Sequence, residues 1–138
     1  MVLWIQISIG SNEPVYAQLI SQISQAIAKG QLKAGDKLPA VRKLASELVI
    51  NPNTVAKAYT YLEQAKLVIT KTGSGTYVAD TKERSADIAD LNILGERMDN
   101  IITRAINIGL KQNDLVEMFK SRLEKYSKKN GNSGVEND

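Results

Sequence analysis

The chain contains no cysteine and no histidine. That excludes disulfides, thiolate or imidazole metal sites, cysteine nucleophiles and histidine general bases together. Carboxylate-only metal sites and serine or lysine chemistry survive, but no stretch groups such residues, so neither an enzyme nor a metal or cofactor is expected. Aromatic residues are scarce, with one Trp and one Phe. The 43% hydrophobic content is enough for a core, with few large rings to fill it. No uncharged apolar run approaches the ~18 residues that mark a bilayer-spanning helix. The opening MVLWIQIS has no basic segment and turns polar quickly, unlike a signal peptide. Missing cysteine fits a reducing compartment, and a cytoplasmic protein is expected.

A length of 138 residues suits one compact domain, or one domain with an appendage. The net charge of +3 is small, but it is unevenly placed. Residues 1–80 hold 8 Lys/Arg against 5 Asp/Glu, whereas residues 81–138 hold 10 of each. The first part therefore carries the whole excess, as a surface that meets phosphate would.

The stretch LPAVRKLASELVINPNTVAKAYTYLE, from Leu38 to Glu63, carries the clearest signal. It predicts two short helices, one from Pro39 to Leu48 and one from Pro52 to about Ala65. Proline suits a first helical turn, where its missing N–H loses no partner. Asn51 stands where an N-cap is needed. Val49-Ile50-Asn51 is then a turn of about three residues, the length found in a DNA-binding helix-turn-helix. Val41, Leu44, Ala45 and Leu48 form the inner stripe of the first helix, with Arg42 and Lys43 off it. Val55, Ala58, Tyr59 and Leu62 form that of the second, leaving Asn53, Thr54, Ala56, Lys57 and Thr60 outward. Small and polar outward residues at the start of such a helix fit a major groove.

Before this stretch, Trp4 to Ile9 alternates apolar and polar, the period of a short strand. Gly10 to Pro14 is a turn. Val15, Leu19, Ile20, Ile23 and Ile27 predict a helix from Val15 to Lys29, stopped by Gly30. Gly30 to Lys37 reads as a loop. After the stretch, Leu67–Lys71 and Thr76–Ala79 predict a hairpin about the turn Thr72-Gly73-Ser74-Gly75, and a hairpin there is a wing. Its glycines permit close backbone approach to a phosphate or the minor groove. Asp80 to Ser85 reads as a linker. Ile88, Leu91, Leu94, Met98, Ile101, Ile102, Ala105 and Ile108 then run at helical spacing to about Leu110. Such a helix is too apolar on one side to stand alone. A last helix, capped by Asn113 or Asp114, puts Leu115, Met118, Phe119, Leu123 and Tyr126 on one face. A polar, disordered tail is expected from about Ser127.

LPAVRKLASEL, NPNTVAKAYTYLEQAKLV and TGSGTYVA, taken in that order, resemble the winged-helix domain of GntR-family transcriptional regulators. The NPNTV-KAY run and the short C-terminal portion are similar to the YtrA-type subfamily. The resemblance implies a homodimer that binds double-stranded DNA and acts as a repressor. It implies that Arg42, in the LPxxR run, reaches DNA from the first motif helix. It implies that Asn53 and Thr54 meet phosphates and base edges, that Lys57 follows one turn on, and that Gly73 to Gly75 form the wing tip. Pro52 and Ala56 depart from the family pattern, standing where other branches often place arginine.

The fold expected is mainly α with a small β wing. A winged helix-turn-helix DNA-binding domain (1–80) precedes a two-helix dimerisation region (81–128) and a tail (129–138). The candidate DNA contacts are Arg42, Lys43, Asn51, Asn53, Thr54, Lys57, Lys71, Gly73, Ser74 and Gly75. The candidate dimer seam is the stripe from Ile88 to Ile108 with Leu115 and Phe119. A small-molecule effector at that seam is a possible further partner. The alternative reading is a winged-helix module that binds proteins without specific DNA binding.

Overall fold

A computed structural model describes residues 5–80 and 88–129. They form two compact units, one on either side of segment 81–87. The first unit contains α1 (Val15–Ala28), α2 (Val41–Leu48), α3 (Pro52–Gln64), β1 (Val68–Lys71) and β2 (Gly75–Val78). The second contains α4 (Ile88–Asn107) and α5 (Gln112–Lys129). The mainly helical architecture with a small hairpin wing matches the expectation. Residues 81–85 of the expected linker, the N-terminal Trp4 and the tail from 130 lie outside the described residues.

Helix α3 packs against both α1 and α2, and this defines the core of the first unit. Leu19 and Ile23 of α1, Leu44 of α2, Val55 and Leu62 of α3, Val68 of β1 and Val78 of β2 are fully buried. These are the apolar positions that recur three and four apart in the helices. Burying each such side chain contributes about 1.5–3 kcal/mol. The Tyr59 hydroxyl, buried with them, donates to the Pro39 carbonyl at 2.7 Å. Burial pushes its phenol above the usual range, so it stays a protonated donor.

The strand expected from Trp4 to Ile9 is not formed over the described residues. Ile5 is buried and Ile7 half-buried, but Ile9 is exposed, so the alternation marked a half-covered segment only as far as Ile7. Its backbone partners, however, are side chains. Gln22 Oε1 accepts from Gln6 N at 3.0 Å, and its Nε2 donates to Gln6 O at 2.7 Å. Gln18 Oε1 accepts from Ser8 N at 2.8 Å, and its Nε2 donates to Ser8 O and Glu13 O, both at 2.9 Å. Two glutamines one turn apart on α1 thus replace a neighbouring strand, which satisfies Gln18 although it is buried.

Three boundaries also shift. Helix α2 begins at Val41, because Ala40 is the extended N-cap residue and Pro39 lies before it. Gly75 is the first residue of β2, paired with Lys71, so the hairpin turn is only Thr72-Gly73-Ser74. Ser127 to Lys129 continue α5, consistent with the high helix propensity of lysine. Moreover, Gly30–Lys37 is more than a loop. Gly35 N donates to Val78 O, Val78 N to Asp36 O, and Leu38 N to Thr76 O, at 2.8–2.9 Å. Lys37 bridges Tyr77 and adds a short third rung to the wing.

Four helices end in one way. After α1, Gln31 N donates to Ala26 O and Gly30 N to Ile27 O, with Gly30 left-handed. The same pair of bonds closes α2 at Val49, α3 at Lys66 and α4 at Gly109. This is the Schellman pattern, which satisfies the last free carbonyls. At Gly109 it ends α4 at Asn107, so Ile108 and Leu110 lie beyond the helix that the spacing had extended to Leu110. Val49 is the outlier, because a β-branched residue at φ 57° crowds its own Cβ. It is 84% exposed, so no packing compensates for the strain. Val49→Gly should therefore raise unfolding stability by about 1 kcal/mol. Urea denaturation checks this; a variant less stable than the parent would show that the Val49 side chain contributes more than the strain removes.

Candidate nucleic-acid interface

The link between α2 and α3 is Val49-Ile50-Asn51, and the two helices pack directly on each other. Asn51 caps α3, its Oδ1 accepting from Asn53 N at 2.7 Å and its carbonyl accepting from Thr54 N at 2.9 Å. Pro52 occupies the first turn, as its sequence position suggested. Asn53, Ala56, Lys57 and Thr60 are exposed, and Thr54 is half-buried. The inner stripe is Val55, Ala58, Tyr59 and Leu62, as the spacing required.

The electrostatics of both motif helices favour an anion. Neither has an acidic residue in its first turn. The N-terminus of a helix carries partial positive charge and unpaired N–H groups. Arg42 and Lys43 add two exposed cations in the first turn of α2. Cations there oppose the helix dipole and do not help the helix form. An anion held against that end would reverse the sign of the effect.

Lys57 is not a free cation. Its ammonium lies 3.9 Å from the centroid of the Tyr16 ring, at the start of α1. A lysine in that position is attracted by the ring's negative face, which narrows the space the long side chain explores. Tyr16 was not among the candidate residues. Only the packing of α1 on α3 brings it to Lys57.

On the wing, Lys71 lies 4.9 Å from the Tyr77 ring centroid, and the Ser74 and Tyr77 hydroxyls share a hydrogen bond. Gly73 adopts φ 78° at the tip, which a residue with a Cβ adopts only under strain. All ten candidate DNA contacts lie in the first unit, on α2, α3, their turn and the hairpin.

The second unit presents a different chemistry. Of its candidate seam residues only Ala105 is buried. Ile88, Leu91, Leu94, Met98, Ile101, Ile102, Ile108 and Phe119 are exposed, and Leu115 is half-buried. Ile93, Ile106 and Val116 are exposed as well, although they lie off the stripe read from the spacing. Between α4 and α5, Met98, Ile101 and Ile102 face Leu115, Val116 and Phe119 across a cleft of about 390 Å³. A second cleft, of about 370 Å³, runs along Met118, Phe119, Leu123 and Tyr126. No described helix is long and apolar enough to cross a membrane.

A two-helix motif with a three-residue turn, followed by a β-hairpin, defines a winged helix-turn-helix protein. The model for bacterial regulatory proteins of the gntR family matches residues 15–78. The HTH-type transcriptional repressor YtrA of Bacillus subtilis is 38% identical over 116 residues, covering 84% of this chain and 89% of that protein. A transcriptional antiterminator from Listeria monocytogenes superposes with TM-score 0.78 at 28% identity, covering 96% of each chain. YtrA from Sulfolobus acidocaldarius, a GntR-family transcription factor, matches with TM-score 0.57 at 37% identity, over 75% of this chain and 97% of its own. The chain belongs to the GntR family, a family of DNA-binding transcriptional regulators and not enzymes, and it is of the YtrA type.

The Asn51 cap yields a direct test. Asn51→Ala should lower stability by about 1 kcal/mol, whereas Asn51→Ser should retain most of it. Equal denaturation midpoints for Asn51→Ala and the parent would show that the cap contributes nothing.

Proposed function

We propose that this chain binds an inverted-repeat operator as a homodimer and represses transcription. The observation that carries DNA binding is the pair of acid-free helix N-termini in a helix-turn-helix, with Arg42 and Lys43 exposed beside one of them. Arg42, Lys43, Lys57 and Lys71 would meet phosphates and supply most of the affinity, which should fall steeply with salt. Asn53 and Thr54, exposed or half-exposed at the start of α3, would read base edges, at about 1–3 kcal/mol for each good contact. The side-chain oxygen of Asn51 is already used in capping, so Asn51 would meet phosphate through its amide nitrogen at most. With alanine at 56 and proline at 52, cationic reading of guanine falls to other positions.

Dimerisation is supported by the second unit. Its apolar side chains are left in water by the chain's own packing, far beyond the scattered exposure ordinary for a surface. Helix α4 alone has 20 residues and is about 30 Å long, enough to build a substantial isologous seam. Two copies would set their α3 helices in successive major grooves, about 34–36 Å apart. The clefts between α4 and α5 have the size of a small-molecule site, but their walls are nearly all apolar, with few groups to orient a ligand. A second copy of the chain fits that chemistry better than an effector does.

Arg42→Ala should weaken binding to an operator fragment at least tenfold, the loss of one charged hydrogen bond, with unchanged circular dichroism. Unchanged affinity would remove Arg42 from the interface. A chain ending at Asp80 should sediment as a monomer while the full chain sediments as a dimer. A dimeric truncation would move the seam into the first unit.

A further inference from the structure

Lys37 lies outside every stretch that points to DNA, yet the fold brings it onto the wing. Residues opposite one another in an antiparallel ladder share a face, and so do residues two apart along a strand. Tyr77 is opposite Ile69 in the hairpin and opposite Lys37 in the third rung, while Lys71 is opposite Gly75. Lys37, Tyr77, Lys71 and Gly75 therefore occupy one face of the wing. The Lys37 ammonium is 6.0 Å from the Tyr77 ring centroid, and that of Lys71 is 4.9 Å away.

Gly75 makes this convergence possible. A Cβ built on Gly75 would meet Lys37 Cε at 2.7 Å, closer than real Cβ contacts come. The Lys37 stem thus runs across the gap that the glycine leaves, toward the row that holds Lys71. This gives Gly75 a role other than close backbone approach to DNA: it is the floor under a lysine. Both lysines are exposed, and neither is paired with a carboxylate among the described residues. The Asp36 carboxylate, next in sequence, is engaged by the Lys33 backbone N–H at 2.8 Å. Two like charges gathered on one small face repel one another, and the Tyr77 ring offsets that only in part.

We propose that Lys37 and Lys71, seated on Tyr77 and Gly75, form a two-lysine clamp for backbone phosphates of double-stranded DNA. This rests on the DNA-binding reading above and adds Lys37 as a contact and Tyr77 as a positioning residue. Ammonium groups are compact point charges, suited to phosphate oxygens and not to bidentate base recognition. The clamp therefore adds affinity at every sequence and carries no base preference.

The test uses the full chain and short mixed-sequence, A·T-only and G·C-only duplexes, titrated between about 50 and 200 mM salt. Lys37→Gln should lower the slope of log K against log salt by about 0.9, the loss of one neutralised phosphate, equally on all three duplexes. Lys37→Arg, which keeps the charge, should keep the slope. Tyr77→Phe keeps the ring and should bind like the parent, whereas Tyr77→Val should weaken binding although no charge is removed. Arg42→Ala is the control. A reduced slope for Arg42→Ala with an unchanged slope for Lys37→Gln would overturn the clamp and leave the DNA reading standing. Unchanged slopes for both would overturn both. A Lys37→Gln loss confined to one duplex type would make Lys37 a base reader and overturn the phosphate assignment.

Discussion

Everything in the first unit depends on how α3 is held. One face of that helix is buried between α1 and α2 through Val55, Ala58, Tyr59 and Leu62, and the Tyr59 hydroxyl ties it to the chain before α2. That burial fixes its rotation, and the rotation decides that Asn53, Lys57 and Thr60 face solvent. Stability and presentation are thus set by one contact. A helix that reads DNA cannot shift by a fraction of a turn without presenting different side chains. The Asn51 cap fixes where it begins and the Schellman turn at Lys66 where it ends.

Three exposed lysines of the first unit lie near tyrosine rings. Lys57 is placed over Tyr16, and Lys37 and Lys71 beside Tyr77. In each case an aromatic ring from a different element supports a lysine. Long side chains lose up to about 2 kcal/mol of rotamer freedom when they are fixed. A ring that restricts them before binding lowers the cost of fixing them against phosphate.

The helices, the motif turn and the Asn51 cap were legible because their signals are local: three-and-four spacing, prolines at helix starts, and a capping residue in place. The exposed stripe of α4 was legible for the same reason, since its periodicity does not depend on what covers it. The extended segment before Pro14 was only half legible. Alternation reported that Ile5 and Ile7 turn inward, but it says nothing about which groups satisfy the backbone, and here Gln18 and Gln22 do. Tyr16 and Lys37 were not legible at all. Each acquires its place only when α1 packs on α3 or the 35–38 segment pairs with β2, which brings Tyr16 to Lys57 and Lys37 to Tyr77 across about 40 residues of chain.

The most direct measurement is a footprint of the full chain on the promoter region of its own operon, taken at low and at higher salt. Two protected patches related by an inverted repeat, centred about 34–36 Å apart and fading as salt rises, are the predicted result. Uniform weak protection along the fragment, or binding insensitive to salt, would contradict a dimeric helix-turn-helix that reads its operator through α3.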